Sequence, residues 1–242
     1  MSGVTSSRTA RQRARAELTQ EIKDRARRQL AEVGADGLSL RAVARELGMV
    51  SSALYRYFAS RDQLLTALII DAYNALGDTA EAAVETADTA HEQWLALCHA
   101  VRGWAKANPH EYALIYGSPI PGYQAPEDTI APASRVAIAF IGILARDEAE
   151  HGLRPPLPGP ELTPVLDGQL RRLAADLAPD LPPEALGRAI FAWTQLFGMI
   201  SFELFGQLVG SVDPADEFFA HSASQLAEFV GLRRQQGEPC TQ

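Results

Sequence analysis

SLRAVARELGMVSSALYRYF, residues 39–58, is the stretch that decides how this 242-residue chain folds. Val43 and Leu47 stand one helical turn apart, so both face inward on a short helix and leave Arg41 and Arg45 outward. Ser39 is placed to cap that helix and Gly48 to end it. Ser51 opens a second short helix, in which Leu54 and Phe58 form the inward pair. With Leu54 in the core, Ser52 and Arg56 point the opposite way, flanked by Ala53 and Tyr55. Two short helices joined by a tight turn are the pattern of a helix-turn-helix. A face of Ser, Tyr and Arg donates to and accepts from base edges and phosphates, so duplex DNA is the expected partner.

The flanks agree. Leu18, Ile22, Ala26, Leu30 and Val33 recur at helical spacing, predicting a first helix from about Ala16 to Val33, stopped by Gly34. Residues 1–15 read as a flexible basic arm whose arginines follow the DNA backbone or enter a minor groove. Ser60 and Gln63 form a capping box that starts a long fourth helix. Arg61, in its first turn, is expected beside free N–H groups, a combination that suits a phosphate; Arg41 is placed likewise. Ala53 is positioned to pack on a thymine methyl, and Tyr57 lies partly toward the core.

Net charge is −8, which alone argues against a nucleic-acid partner, but the charge is unevenly spread. Residues 1–65 hold 12 Lys/Arg against 7 Asp/Glu, and the remainder holds 10 against 23. A basic head on an acidic body directs the head toward phosphate. Apolar residues make up 47% and charged residues 21%, an ordinary soluble mixture. No run approaches bilayer-spanning length and no signal-peptide core opens the chain, so a cytoplasmic protein without a membrane partner is expected. Cys98 and Cys240, far apart, offer neither a disulfide framework nor metal-ligand spacing.

The rest of the chain is helical by period, and the fold class is all-α. Thr89 and Glu92 cap a fifth helix, a short helix covers about His110–Tyr116, and Gly117–Pro126 is a loop. Further helices are predicted at about Ala131–Glu150, from Thr163–Pro164 to Ala178, at Pro183–Val209, and from Asp213 to about Arg234, with a Pro-rich loop at Arg154–Pro160. Apolar residues circle the Pro183–Val209 helix, and Gly187, Gly198 and Gly206 are placed for close helix approach. With Phe219, Leu226, Phe229 and Val230 on the last helix, this predicts a four-helix interface in a homodimer, with a buried central helix in a monomer as the alternative.

Residues 16–76 resemble the TetR/AcrR family of transcriptional regulators. The likeness rests on Gly37–Arg41, Val43-Ala44, Leu47-Gly48, Ser51, Ser52, Leu54–Phe58, Arg61 and Leu64-Leu65. It implies a three-helix DNA-binding domain followed by a larger helical domain, residues 77–242, for effector binding and dimerisation. It also implies that Arg41, Ser51, Ser52, Ala53, Tyr55, Tyr57 and Arg61 occupy DNA-contact positions, to which the residue pattern adds Arg56; Ala53 stands where Thr is frequent. Trp193–Gly198 resembles a C-terminal domain named for a Trp-His-Gly signature, with Phe197 in place of the His.

An effector cavity is expected among the later helices, with Trp94, Leu97, Cys98, Val101, Trp104, Tyr112, Tyr116, Phe140, Phe191 and Trp193 as candidate lining residues. Aromatic walls with few polar groups imply a mostly apolar small molecule. His91, Cys98 and His99 do not have the spacing of a known metal site, and no catalytic set or phosphate loop stands out, so neither metal, cofactor nor catalytic residue is expected. The resulting expectation is a homodimeric, effector-released repressor on a pseudo-palindromic operator. Two alternatives stay open: a small all-α enzyme working around Cys98, and a non-specific DNA-packaging protein, which the acidic body disfavours.

Overall fold

The computed structural model describes residues 3–155 and 160–234, with side chains from residue 10 onward. Among the described residues the chain is all-α, as expected, and has no strand. Its helices are α1 (Gly3–Val33), α2 (Leu40–Glu46), α3 (Ser51–Leu54), α4 (Arg61–Val84) and α5 (Ala90–Ala107). They continue with α6 (Pro109–Tyr116), α7 (Ile130–His151), α8 (Pro164–Leu177), α9 (Pro183–Leu204) and α10 (Asp216–Val230). Cys240 and residues 156–159 of the Pro-rich loop lie outside the described residues.

Contacts divide the chain into two units. The first joins residues up to Tyr73 with Asn108–Ile130; the second joins Asn74–Ala107 with the chain from Ala131 on. Helix α4 begins in the first and ends in the second. In the first unit, Ile22, Ala26 and Leu30 of α1, Val43 and Ala44 of α2, Leu54, Phe58, and Leu64, Leu65 and Leu68 of α4 form one buried core. Each fully buried Leu or Phe contributes about 1.5–3 kcal/mol over exposure. Leu114, Ile115, Ile120 and Tyr123 pack against that core, which is why α6 and its following loop belong here. Arg27 Nε donates to Glu111 Oε1 at 3.0 Å, and Tyr123 and Thr66 share a hydroxyl hydrogen bond of 2.9 Å.

In the second unit, Trp94 of α5 stacks edge-on against Phe140 of α7 with ring centres 4.7 Å apart. Its Nε1 donates to the Ala223 carbonyl of α10 at 3.2 Å. Arg102 of α5 grips Glu203 of α9 through Nε and Nη2, both at 2.6 Å, and donates to Asp216 of α10 at 2.8 Å. Arg135 of α7 fastens α4 by pairing with Asp78 and Glu81, each at 2.6 Å. Gly77 lets it lie close, since a Cβ there would meet Arg135 Nε at 2.7 Å and push that side chain aside.

Several expectations need correction. Residues 3–15 continue α1 instead of forming a flexible arm: Ala10-Arg-Gln-Arg-Ala-Arg-Ala16 are strong helix formers without a Gly or Pro break. The recognition segment is one α-turn, Ser51–Leu54, extended by a tighter turn that closes with Tyr57 N–H to Leu54 O at 2.8 Å. Helix α9 stops at Leu204, where Gly206 takes φ +80°. Of the three glycines expected to allow close approach, Gly187 alone meets a neighbouring helix of the described chain, at Leu170 of α8. The stretch Glu127–His151 is, by length and composition, apolar enough to cross a membrane, contrary to the sequence reading. Within it α7 buries Val136, Phe140, Ile143 and Leu144, and its Arg135 is paired.

Candidate nucleic-acid interface

The site is built from the α2–α3 turn outward. Ser39, in extended backbone at φ −134°, caps α2 by accepting from Ala42 N–H, and its own N–H is taken by Gln29 Oε1 of α1 at 2.7 Å. Gln29 is buried, and its amide reaches Glu46 at 3.5 Å, so one side chain fastens both ends of α2 to α1. Gly48 adopts φ +66°, the left-handed turn that lets the chain reverse between α2 and α3. Leu54, with no exposure, and Phe58 anchor the recognition segment from below.

Above that anchor, Arg41, Ser52, Tyr55 and Arg56 are exposed, and Ser51 and Ala53 are half-buried. Tyr55 is 44% accessible although it is a large aromatic residue, which leaves it available to a partner. Ser39, Arg41, Tyr55, Ser60 and Arg61 line a shallow cleft of about 520 Å³ between the starts of α2 and α4. Ser60 Oγ accepts from Gln63 N–H at 3.1 Å and Gln63 Oε1 from Ala59 N–H at 2.9 Å, the expected capping box displaced by one residue.

Arg61 is placed differently from the expectation. Its Nη2 donates to the Ala35 carbonyl at 2.7 Å and its Nε to the Leu38 carbonyl at 3.2 Å, so the guanidinium braces the α1–α2 loop against α4. Arg15 has a role that sequence reading missed. Its Nη2 donates to the Arg56 carbonyl at 3.2 Å and its guanidinium lies 5.0 Å from the Tyr57 ring centre, tying α1 to the recognition segment. The only sequence signal was helical propensity continuing through residues 10–16.

The ten candidate effector residues are divided between the two units. Trp94, Leu97, Cys98, Val101 and Phe140 have essentially no exposure and pack as core, with Trp104 nearly as deep. Tyr112 and Tyr116 sit in the first unit, stacked 5.2 Å apart and joined by Tyr73. Phe191 is 51% exposed on the outer face of α9 against Phe229, because a helix whose apolar residues run all round cannot bury every side in one unit. Trp193 is half-buried beside Phe197.

Cys98 is fully buried, and burial pushes its thiol well above the ordinary range, the opposite of an activated nucleophile. His99 stacks on Phe219 at 5.4 Å instead of turning with His91 and Cys98 toward a shared point. Among the described residues no group of three His, Cys, Asp or Glu is placed to hold a metal.

A buried Leu54–Phe58 pair carrying an exposed Ser-Tyr-Arg face, buttressed by α1 and α2, defines a helix-turn-helix DNA-binding transcriptional regulator. Residues 22–68 match the family described as bacterial regulatory proteins, tetR family, and residues 94–226 match the tetracyclin repressor-like C-terminal domain. The chain belongs to the TetR family of transcriptional regulators. It is 42% identical over 224 residues to the HTH-type transcriptional regulator Rv1816 of Mycobacterium tuberculosis, covering 90% of this chain and 94% of that protein. Among solved structures it resembles the regulatory protein SCO4313, with 34% identity, a TM-score of 0.76, and coverage of 90% and 98% of the two chains. The fold alone is shared with the TetR family regulator PfmR from Thermus thermophilus, at 20% identity, a TM-score of 0.56, and coverage of 88% and 99%.

Proposed function

We propose that the protein is a ligand-responsive repressor that binds a pseudo-palindromic operator as a homodimer and leaves it when a small molecule occupies the helical body. The observation that carries this reading is the exposed Ser52, Tyr55 and Arg56 face held rigidly over Leu54 and Phe58. Each subunit presents one such face to a half-site, and two half-sites about 34–36 Å apart, or a multiple, need two subunits. Arg41 and Arg56 contact phosphates or base edges, Ser51, Ser52 and Tyr55 supply hydroxyls, and Ala53 meets a methyl. Arg61 braces the α1–α2 loop, and Tyr57, packed against the core and beside Arg15, positions the segment.

Dimerisation draws on a second feature. Val165, Leu173 and Leu177 of α8, Phe191 and Phe202 of α9, and Phe218 and Phe229 of α10 are large apolar side chains left exposed on helices that pack together. Exposed large apolar side chains on neighbouring helices, with Phe191 against Phe229, support an interaction surface here. A second copy covers it in this reading. The effector must prefer the conformation that does not hold DNA; a coupling of ~1–3 kcal/mol is typical.

A mobility-shift titration with fragments selected from the source genome tests the reading. Affinity should fall steeply with salt, since phosphate contacts release counterions. Tyr55→Ala and Arg41→Ala should each weaken specific binding about tenfold or more while thermal unfolding stays unchanged. Full-strength binding by both folded variants would remove the assigned reading face.

A further inference from the structure

Helix α1 outruns the core it packs on. Leu18 packs against that core and is followed there by Ile22, Ala26 and Leu30, whereas residues 10–17 are helical but exposed. Successive residues turn by about 100° around a helix, so position fixes direction. Counted back from Ile22, Arg15 and Arg11 fall within about 20° of its direction, and Arg13 falls about 180° away. The inward line of α1 is therefore apolar over the core and cationic beyond it.

Arg15 shows where that line leaves the core. Its Nη2 reaches the Arg56 carbonyl at 3.2 Å and its guanidinium lies 5.0 Å from the Tyr57 ring centre, at the end of the recognition segment. Arg11 stands one turn farther out on the same line, about 6 Å past Arg15. Arg15 is engaged by the domain itself; Arg11 is exposed and enters no ion pair among the described residues.

The charge along α1 is balanced only over the core. There Lys23 and Arg27 meet Asp71 at 2.7 and 2.6 Å, and Arg27 also meets Asp24 at 2.7 Å. Residues 1–16 carry four arginines and no Asp or Glu, and the first acid is Glu17. An unbalanced cationic stretch continuing past the reading face fits a polyanion. A helix about 10–12 Å across does not enter a minor groove about 6 Å wide, so backbone phosphates are the groups in its reach.

We propose that the part of α1 before Leu18 is a rigid phosphate-contacting extension, with Arg11 on the DNA backbone beside the half-site met by Ser52, Tyr55 and Arg56, and Arg13 turned away. This rests on the DNA-binding reading and adds to it a contact that carries no sequence information.

Fluorescence anisotropy over a range of NaCl concentrations tests it, with two duplexes of about 30 bp, one alternating A·T and one alternating G·C, because a phosphate contact needs no operator. Arg11→Gln should weaken binding to both duplexes alike and lower the slope of log K against log salt by about 0.9 per subunit. Arg13→Gln removes the same charge from the opposite face and should change the slope less than half as much. Both side chains are exposed, so neither variant should alter thermal unfolding. A wild type that binds neither these duplexes nor genomic fragments at low salt would sink the DNA-binding reading and this inference together. Wild-type binding whose slope survives Arg11→Gln overturns this inference alone. Equal losses from the two variants also overturn it, since charges on an unordered arm act without regard to face, as does a loss confined to the A·T duplex, which places the guanidinium in the minor groove.

Discussion

The guanidinium of Arg15 lies 5.0 Å from the centre of the Tyr57 ring and hydrogen-bonds the carbonyl of Arg56, so α1 holds the recognition segment at a second place besides its core anchor. An exposed cation–π pair is worth about 0.5–1 kcal/mol, too little to decide whether the chain folds. It is enough to set the pose of a segment that has a single turn of α-helix. Arg15→Ala is therefore expected to lower operator affinity several-fold while shifting the unfolding free energy by about 1 kcal/mol or less. Paired mobility-shift and urea-unfolding measurements separate the two effects.

Arg61 invites a sharper test, because a brace and a phosphate contact respond differently to lysine. The brace needs two donors aimed at the Ala35 and Leu38 carbonyls. Lysine keeps the charge but not the fork. Arg61→Lys should cost about 1–3 kcal/mol of stability and speed amide exchange around residues 35–38. A stable Arg61→Lys that keeps DNA binding, beside a stable Arg61→Ala that loses it, would assign the side chain to phosphate instead.

The Arg102–Glu203 pair makes acid stability predictable. The Arg102 guanidinium, and next the Lys106 ammonium, hold the Glu203 carboxyl below its ordinary pKa, while partial burial opposes them. A depressed carboxyl stabilises the fold fully above its unfolded pKa of ~4.3 and loses that contribution as pH falls through the folded value. Thermal melts of the wild type should therefore drop steeply below about pH 4, and Glu203→Gln should flatten that slope. Arg102→Met leaves Glu203 without its bidentate partner and should cost about 3–5 kcal/mol at neutral pH.

Phe202 tests the second-copy reading. It is 56% exposed on α9, so replacing it disturbs little of the subunit's own packing. Phe202→Asp places a charge where the apolar face would be covered. Sedimentation should show a monomer at concentrations where the wild type is a dimer, and operator affinity should fall with it. A Phe202→Asp protein that remains dimeric would move the interface elsewhere.

How much was legible beforehand can be read residue by residue. The Ser60–Gln63 and Thr89–Glu92 boxes and the Thr163 cap all form, because each needs partners only three or four residues away. Leu54 and Phe58 turn inward as their spacing demands. Arg61, Gln29 and Phe191 were not legible. Arg61 reaches carbonyls 23 and 26 residues back, Gln29 an N–H ten residues on, and Phe191 rests on Phe229 of another helix.

The chain's order of residues was thus sufficient for its all-α class, the caps at Ser39, Ser60, Thr89 and Thr163, and the outward face of the Ser51–Phe58 segment. Those depend on period and on hydrogen bonds within a turn. Which arginine braces a distant loop was decided by tertiary packing, as was the joining of α6 and its loop to the first unit. A long side chain takes its partner from whatever element folds beside it, and no local pattern encodes that neighbour.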